Sequence, residues 1–171
     1  MSDIAVYWPG GGNWYIRYSG GGSLTQPWGW SAAVPVPGDY DGDGATDIAV
    51  YHAASGNWYI KYSGGGSLTQ PWGWSAAVPV PGDYDGDGAT DIAVYHAAGG
   101  RWYIRYSSGG SATISWGWSA ARAVPGDYDG DGKTDVAVYS EAGGTWYIRG
   151  SSGGGGQLLW GGSGAVPVTC P

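Results

Sequence analysis

Asp39-Tyr40-Asp41-Gly42-Asp43-Gly44-Ala45-Thr46-Asp47 runs straight into Ile48-Ala49-Val50-Tyr51, and this stretch decides the fold. It recurs as Asp83 to Asp91 followed by Ile92-Ala93-Val94-Tyr95, and as Asp127 to Asp135 followed by Val136-Ala137-Val138-Tyr139, each 44 residues after the last. Every copy places carboxylates at positions 1, 3, 5 and 9 and glycine at position 6, so the three loops hold twelve of the 14 acidic residues. Carboxylates this close repel one another. A hard cation among them relieves the repulsion, and six to eight oxygens at short range suit calcium. Glycine at position 6 permits the reversal that turns the oxygens inward. The expected ligands are Asp39, Asp41, Asp43 and Asp47 with the carbonyl of Ala45; Asp83, Asp85, Asp87 and Asp91 with that of Ala89; and Asp127, Asp129, Asp131 and Asp135 with that of Lys133. Three calcium ions per chain are expected, in a structural role, because oxygen ligands that fill the coordination sphere leave little room for a substrate.

The repeat extends well beyond the loops. Trp-Tyr-Ile recurs at Trp14, Trp58, Trp102 and Trp146, and the Trp of a Trp-Gly pair at Trp28, Trp72, Trp116 and Trp160. Residues 13–54 match 57–98 with one difference, Arg17 against Lys61. A period of this length marks an array of supersecondary units. Each unit reads as four short strands: 33–38, 47–51, 57–62 and 68–74 in the second copy. In the third of these, Trp58, Ile60 and Tyr62 alternate with Tyr59 and Lys61, and Gly-rich connections such as Ser63-Gly64-Gly65-Gly66 suit antiparallel neighbours. No stretch has helical periodicity, and the 36 glycines and 10 prolines would break a helix longer than a turn.

These units predict an all-β fold: a β-propeller of 44-residue, four-stranded antiparallel blades, four per chain. Bulk rises from Ala, Val and Pro in the first strand to Trp and Tyr in the outer strands, as blades that splay from an axis require. The expected blades are 165–171 together with 2–31, then 33–75, 77–119 and 121–162, in one domain of 1–171. Ala165 to Thr169 repeats a first strand, so the C-terminal strand is expected to complete the N-terminal blade and close the ring. That blade retains Asp3 alone and is expected to hold no metal. The same strand closes either a four-bladed monomer or an eight-bladed ring of two chains, and the taper favours the monomer.

Composition narrows the function classes. The formal charge of −7 is concentrated in the loops, and three divalent ions would bring it to about −1, so no nucleic-acid partner is expected. No apolar run is long enough for a membrane span. Twelve Trp and 14 Tyr supply more apolar area than a disordered Gly-rich chain would carry. Cys170 is the single cysteine, so no internal disulfide forms. His52 and His96 occupy equivalent positions and read as turn residues, since no Ser/His/Asp or His/Glu set converges in the sequence. Near-equal repeats differentiate no single site, and the chain is therefore expected not to be an enzyme.

The combination Asp-x-Asp-x-Asp-Gly-x-x-Asp with an immediate Ile/Val-Ala-Val strand resembles the FG-GAP/VCBS repeats of bacterial surface and secreted proteins, and its loops are similar to those of the integrin α-subunit propeller. The resemblance covers essentially the whole chain. An EF-hand is a poor match, because position 12 is Val50, Val94 or Val138 within a strand instead of a bidentate Glu before a helix. The resemblance implies a calcium-binding propeller of extracellular or cell-surface origin, although Met1 is followed at once by repeat sequence and no leader is expected in this chain. It also implies a binding or scaffolding module, with carbohydrate between blades as the first ligand class and a purely structural or protein-contact repeat as the alternative. Arg17, Lys61, Arg105 and Arg149 lie on the face opposite the Trp-Ile row, where cation–π packing is the simplest account.

Overall fold

The computed structural model describes residues 3–168. The chain divides into two compact units, Met1–Ser75 and Ala76–Pro171, and the division falls at an expected blade boundary. No helix among the described residues is long and apolar enough to cross a membrane.

The first unit holds two antiparallel sheets. One is built from β1 (Ile4–Trp8), β2 (Asn13–Arg17) and β3 (Ser23–Pro27), in that order. The other has β4 (Val34–Pro35), β5 (Ile48–His52), β6 (Asn57–Lys61) and β7 (Ser67–Pro71). The second unit holds two four-stranded sheets. The first of these comprises β8 (Val78–Pro79), β9 (Ile92–His96), β10 (Arg101–Arg105) and β11 (Ser111–Ser115). The second comprises β12 (Ala121–Ala123), β13 (Val136–Ser140), β14 (Thr145–Arg149) and β15 (Gly155–Leu159). The all-β architecture of repeated antiparallel sheets is consistent with propeller blades.

Local chemistry explains the elements. β5 is buried along Ile48 to Tyr51, and its continuous β-branched and aromatic run suits a strand covered on both faces. β6 alternates, with Trp58 and Ile60 buried and their neighbours half-buried. β7 ends the sheet, where Pro71 needs no ladder donor. The hairpin joining β9 to β10 turns at Gly100, with φ of 58°, and a Cβ there would lie 2.2 Å from the carbonyl oxygen of Gly117. Only glycine fits that approach.

Three expectations change. The fourth strand of the second copy covers Ser67–Pro71 and not 68–74, because Trp72-Gly73-Trp74 turns away at Gly73, whose φ is 127°. The first strand shortens to Val34–Pro35, with an isolated bridge between Gly38 and Asp47 beyond it, since prolines at 35 and 37 remove ladder donors. Finally, residues 165–168 form no strand and the first sheet has three strands, so the expected closure is not seen among the described residues. Thr169, Cys170 and Pro171 lie outside them.

Within the first unit, Trp14 packs with Ala33, Ile48 and Val50, flanked by Ile16 and Tyr59. In the second, Trp102 and Ile104 pack against Val136 and Val138, flanked by Tyr147. Each indole also ties its own sheet: the Trp102 Nε1–H donates to the Trp116 carbonyl at 2.8 Å, as Trp58 does to Trp72. Each such tryptophan brings a large apolar side chain into the core.

Candidate metal centre

Each Asp loop leaves the short first strand of its sheet, β4, β8 or β12, and re-enters as the second strand. Its shape is set by its own carboxylates. Asp39 Oδ1 accepts the Gly42 N–H at 2.8 Å and its Oδ2 accepts the Gly44 N–H at 2.8 Å, which winds the loop around position 1. Asp83 and Asp127 do the same with Gly86, Gly88, Gly130 and Gly132. Position 6 takes the left-handed conformation expected of it, with φ of 84° at Gly44, 90° at Gly88 and 87° at Gly132.

Position 9 is a buried fastener. Asp91, fully buried, accepts the Tyr84 N–H and the Ser107 N–H, both at 2.8 Å, one on each oxygen. Asp47 and Asp135 repeat both bonds, with Tyr40 and Ser63, and with Tyr128 and Ser151. Asp3 keeps one of them, from Ser19. The loop is thereby tied to the hairpin that follows the third strand.

The structure brings three carboxylates of each loop together, with one oxygen from each lying within 4.8 Å of the others. They are Asp39, Asp41 and Asp43 in the first unit; Asp83, Asp85 and Asp91, and Asp127, Asp129 and Asp135, in the second. Positions 1 and 3 converge in all three. The third member is position 5 in the first loop and position 9 in the other two. Asp87 and Asp131 instead accept the hydroxyls of Ser107 and Ser151 at 2.6 Å. Asp43 also accepts a hydroxyl, from Ser63 at 2.8 Å. At position 7, the backbone N–H of Ala45, Ala89 and Lys133 donates to the position-5 carboxylate.

The serines are the functional residues that sequence reasoning missed. Ser19, Ser63, Ser107 and Ser151 recur every 44 residues, a signal hidden inside what read as Gly-rich turns. A second serine follows in the later copies: Ser108 donates to Asp85, and Ser152 to Asp129 at 3.1 Å, where the first loop faces Gly64. The tyrosine at position 2 was likewise unassigned. Tyr84 is buried and its hydroxyl donates to the Val80 carbonyl at 2.7 Å, anchoring the loop to the residue that follows β8.

Electrostatics divide the carboxylates. Burial pushes Asp47 and Asp91 above the ordinary 3.8; the two N–H bonds to each oppose that shift, and the neighbouring carboxylates at positions 1 and 3 add to it. Asp87 and Asp131 go below it, held down first by the serine hydroxyl and then by the N–H of position 7. Burial, and then the charge of Asp135, raises Tyr128 to about 12. These directions give a sign to acid stability in calcium-free solution. The raised groups favour the folded state when protonated, so their contribution is complete below 3.8 and is lost as pH rises through their folded values. The lowered groups contribute above 3.8 and lose it as pH falls through theirs. Metal-free protein should therefore gain stability on acidification from neutrality towards 3.8 and lose it below. Thermal melts in chelator across that range check this, and a steady decline from pH 7 downward would contradict it.

The donor set suits a hard divalent cation. All the converging groups are carboxylate oxygens. In the second unit, Asp85 Oδ1 is buried with no hydrogen-bond partner, a costly state for an anionic oxygen that a cation would relieve. The two loops of this unit also touch: the Thr134 N–H donates to the Asp83 carbonyl at 2.6 Å.

Elsewhere, the Lys61 ammonium lies 5.7 Å from the Trp28 ring centroid, the cation–π contact expected at that position. His52 is the last residue of β5, beside the turn that follows, with its Nδ1 within 2.9 Å of the Ser55 hydroxyl.

Comparison with known proteins bears on both fold and family. No curated protein matches the sequence. Among solved structures, a streptogramin B lyase aligns at 13% identity and a TM-score of 0.61, covering 92% of this chain and 51% of the lyase. The virginiamycin B lyase of Staphylococcus aureus aligns at 10% identity and a TM-score of 0.60, over 92% of this chain and 52% of its own. The chain thus spans about half the length of these structures. They correct the expectation that the chain is no enzyme. The fold it shares is one that serves lyases, so uniform repeats are no ground for excluding catalysis. At such identity the likeness concerns the fold, and no lyase residue or substrate transfers with it. The FG-GAP-like repeat matches residues 39–94 and 83–138, and the FG-GAP repeat matches 119–159, together well over half of the sequence. The matched segments contain all three Asp loops and the strands that follow them, and the chain belongs to the FG-GAP-like repeat family.

Proposed function

We propose that this chain is a calcium-stabilised repeat module that works through protein contacts, with one ion in each Asp loop. The observation that carries the reading is the convergence of three carboxylate oxygens within 4.8 Å in every loop. Positions 1 and 3 supply the shared ligands. Positions 5 and 9 and the position-7 carbonyls of Ala45, Ala89 and Lys133 complete the set. The ion's contribution is charge: it neutralises carboxylates that otherwise repel and ties both ends of the loop to one centre. The chain's own residues do the positioning, with Tyr84, Ser107 and their equivalents holding position 9 before any ion arrives.

FG-GAP repeats favour a structural or protein-interaction role, and neither the family match nor the fold match supports a carbohydrate ligand. A site outside the cell suits the reading, because extracellular calcium modules work at the highest free calcium. Calcium titration calorimetry on chelator-stripped protein tests it. Three ions per chain are expected, from the three loops. A count of four would mean a site that the loops do not provide, and no heat of binding would defeat the proposal.

A further inference from the structure

One sheet-to-sheet junction recurs in both units, and it leaves two matching halves unfilled. In the first unit, the Trp14 and Ile16 face of one sheet meets the Ile48, Val50 and Tyr59 face of the next. In the second unit, Trp102 and Ile104 meet Val136, Val138 and Tyr147 in the same way. A hydrogen bond accompanies each junction: the Trp28 Nε1–H donates to the Tyr59 carbonyl, and the Trp116 Nε1–H to the Tyr147 carbonyl, both at 3.0 Å. The rule is the same each time. A Trp/Ile face with a Trp-Gly indole packs on an Ile/Val/Tyr face with a tyrosine carbonyl.

The first sheet has the second kind of face, left largely exposed by the described residues. Ile4 is 68% exposed, Val6 58% and Tyr15 41%, whereas Val50 and Val138, which repeat Val6, are fully buried. The last sheet has the first kind. Trp146 and Ile148 are only half-buried where Trp102 and Ile104 are buried completely. Beside them, Leu158, paired with Trp146, is 56% exposed and Trp160 75%. Exposed apolar side chains gathered on one sheet face point to an interaction surface.

The backbone shows the same complementarity. β5, β9 and β13 each pair with a short first strand, and among the described residues β1 pairs with β2 alone. Ala165-Val166-Pro167-Val168 repeats Ala33-Val34-Pro35-Val36 residue for residue. Val36 donates its N–H to the Ala49 carbonyl at 2.9 Å and is buried, whereas Val168 is 77% exposed and its segment lies in no strand.

We propose that two copies of this chain associate head to tail through these halves. The Trp146, Ile148 and Leu158 face of one copy packs on the Ile4, Val6 and Tyr15 face of the other. The Trp160 indole donates to the Tyr15 carbonyl across the junction. Residues 165–168 add to β1 as its missing neighbour, with Val166 opposite Tyr7 and Pro167 opposite Val6, the register that Val34 and Pro35 hold on β5. Such an interface joins unlike surfaces, and two of them close a dimer. The strand addition covers an exposed sheet edge at the same time. None of this depends on the metal reading.

The test is complementation between two variants, read by light scattering under reducing conditions at tens of micromolar protein. Val6→Lys spoils one half and Leu158→Lys the other; both side chains are exposed in the single chain, so the fold should survive, as circular dichroism will show. Wild type is expected at twice 17.6 kDa, each variant alone at 17.6 kDa, and their equimolar mixture to recover the doubled mass, because one intact junction remains between unlike partners. A wild-type monomer closed on itself would overturn the proposal. So would a dimer that survives either lysine, or a mixture that stays monomeric.

Discussion

Stripping calcium with excess EDTA is expected to lower the melting temperature of this protein by a large margin. A ligand that binds only the folded state stabilises it by about 2.7 kcal/mol per site at a hundredfold excess over its dissociation constant. For a chain of this length, losing even one such site moves the midpoint by roughly 5–10 °C. Three loops should act together in the same direction. The metal-free loops have partial compensation of their own: position 1 accepts its loop's N–H groups, position 5 a serine hydroxyl, and position 9 two further N–H groups. That compensation predicts a chelated protein that is still folded at low temperature, with a lower transition. Restoring calcium should restore the original curve. An unchanged melt together with no calcium by elemental analysis would defeat both the proposed ions and the reading built on them.

The period was legible because so much of the chain repeats at one spacing. Strand existence followed from alternation at Trp58, Tyr59 and Ile60 and from the buried run Ile48 to Tyr51, and the structure places strands over both. Boundaries were harder. Pro35 and Pro71 sit within or at the end of short strands, and a turn at Gly73 removes Trp72 and Trp74 from the fourth. Periodicity does not report such turns, because a Trp-Gly-Trp segment looks as apolar as a strand. The loops were legible as an oxygen cluster, but the division of labour within them was not. Asp91 and Asp87 look alike in sequence. Burial and two N–H donors separate one as a fastener, while the other stays at the surface and accepts the Ser107 hydroxyl. The serines escaped notice because a hydroxyl in a Gly-rich turn usually needs no explanation. Closure was legible only as a possibility: residues 165–168 repeat a first strand and can pair with a β1-like strand, but the repeat does not say whose.

Truncating Trp102 to alanine is expected to be among the most damaging single changes. Its side chain is fully buried between two sheets of the second unit, and its Nε1–H is satisfied by the Trp116 carbonyl. Removing it opens a large cavity beside Val136 and Val138 and leaves that carbonyl without its donor. A cost of about 3–5 kcal/mol is expected, measurable by urea denaturation in calcium. Trp146→Ala supplies the contrast. It is the same residue in the same strand position, with the same bond to a carbonyl just past the neighbouring strand, that of Trp160 at 3.0 Å, but only half-buried in the single chain. Its cost should be well below that of Trp102→Ala in dilute protein, because less apolar surface returns to water. If the two halves of the unfilled junction meet in a second copy, that cost should grow as protein concentration rises, whereas the Trp102→Ala value changes less. Equal costs at every concentration would show that Trp146 is never more covered than in the single chain, and the burial argument for the junction would fail with it.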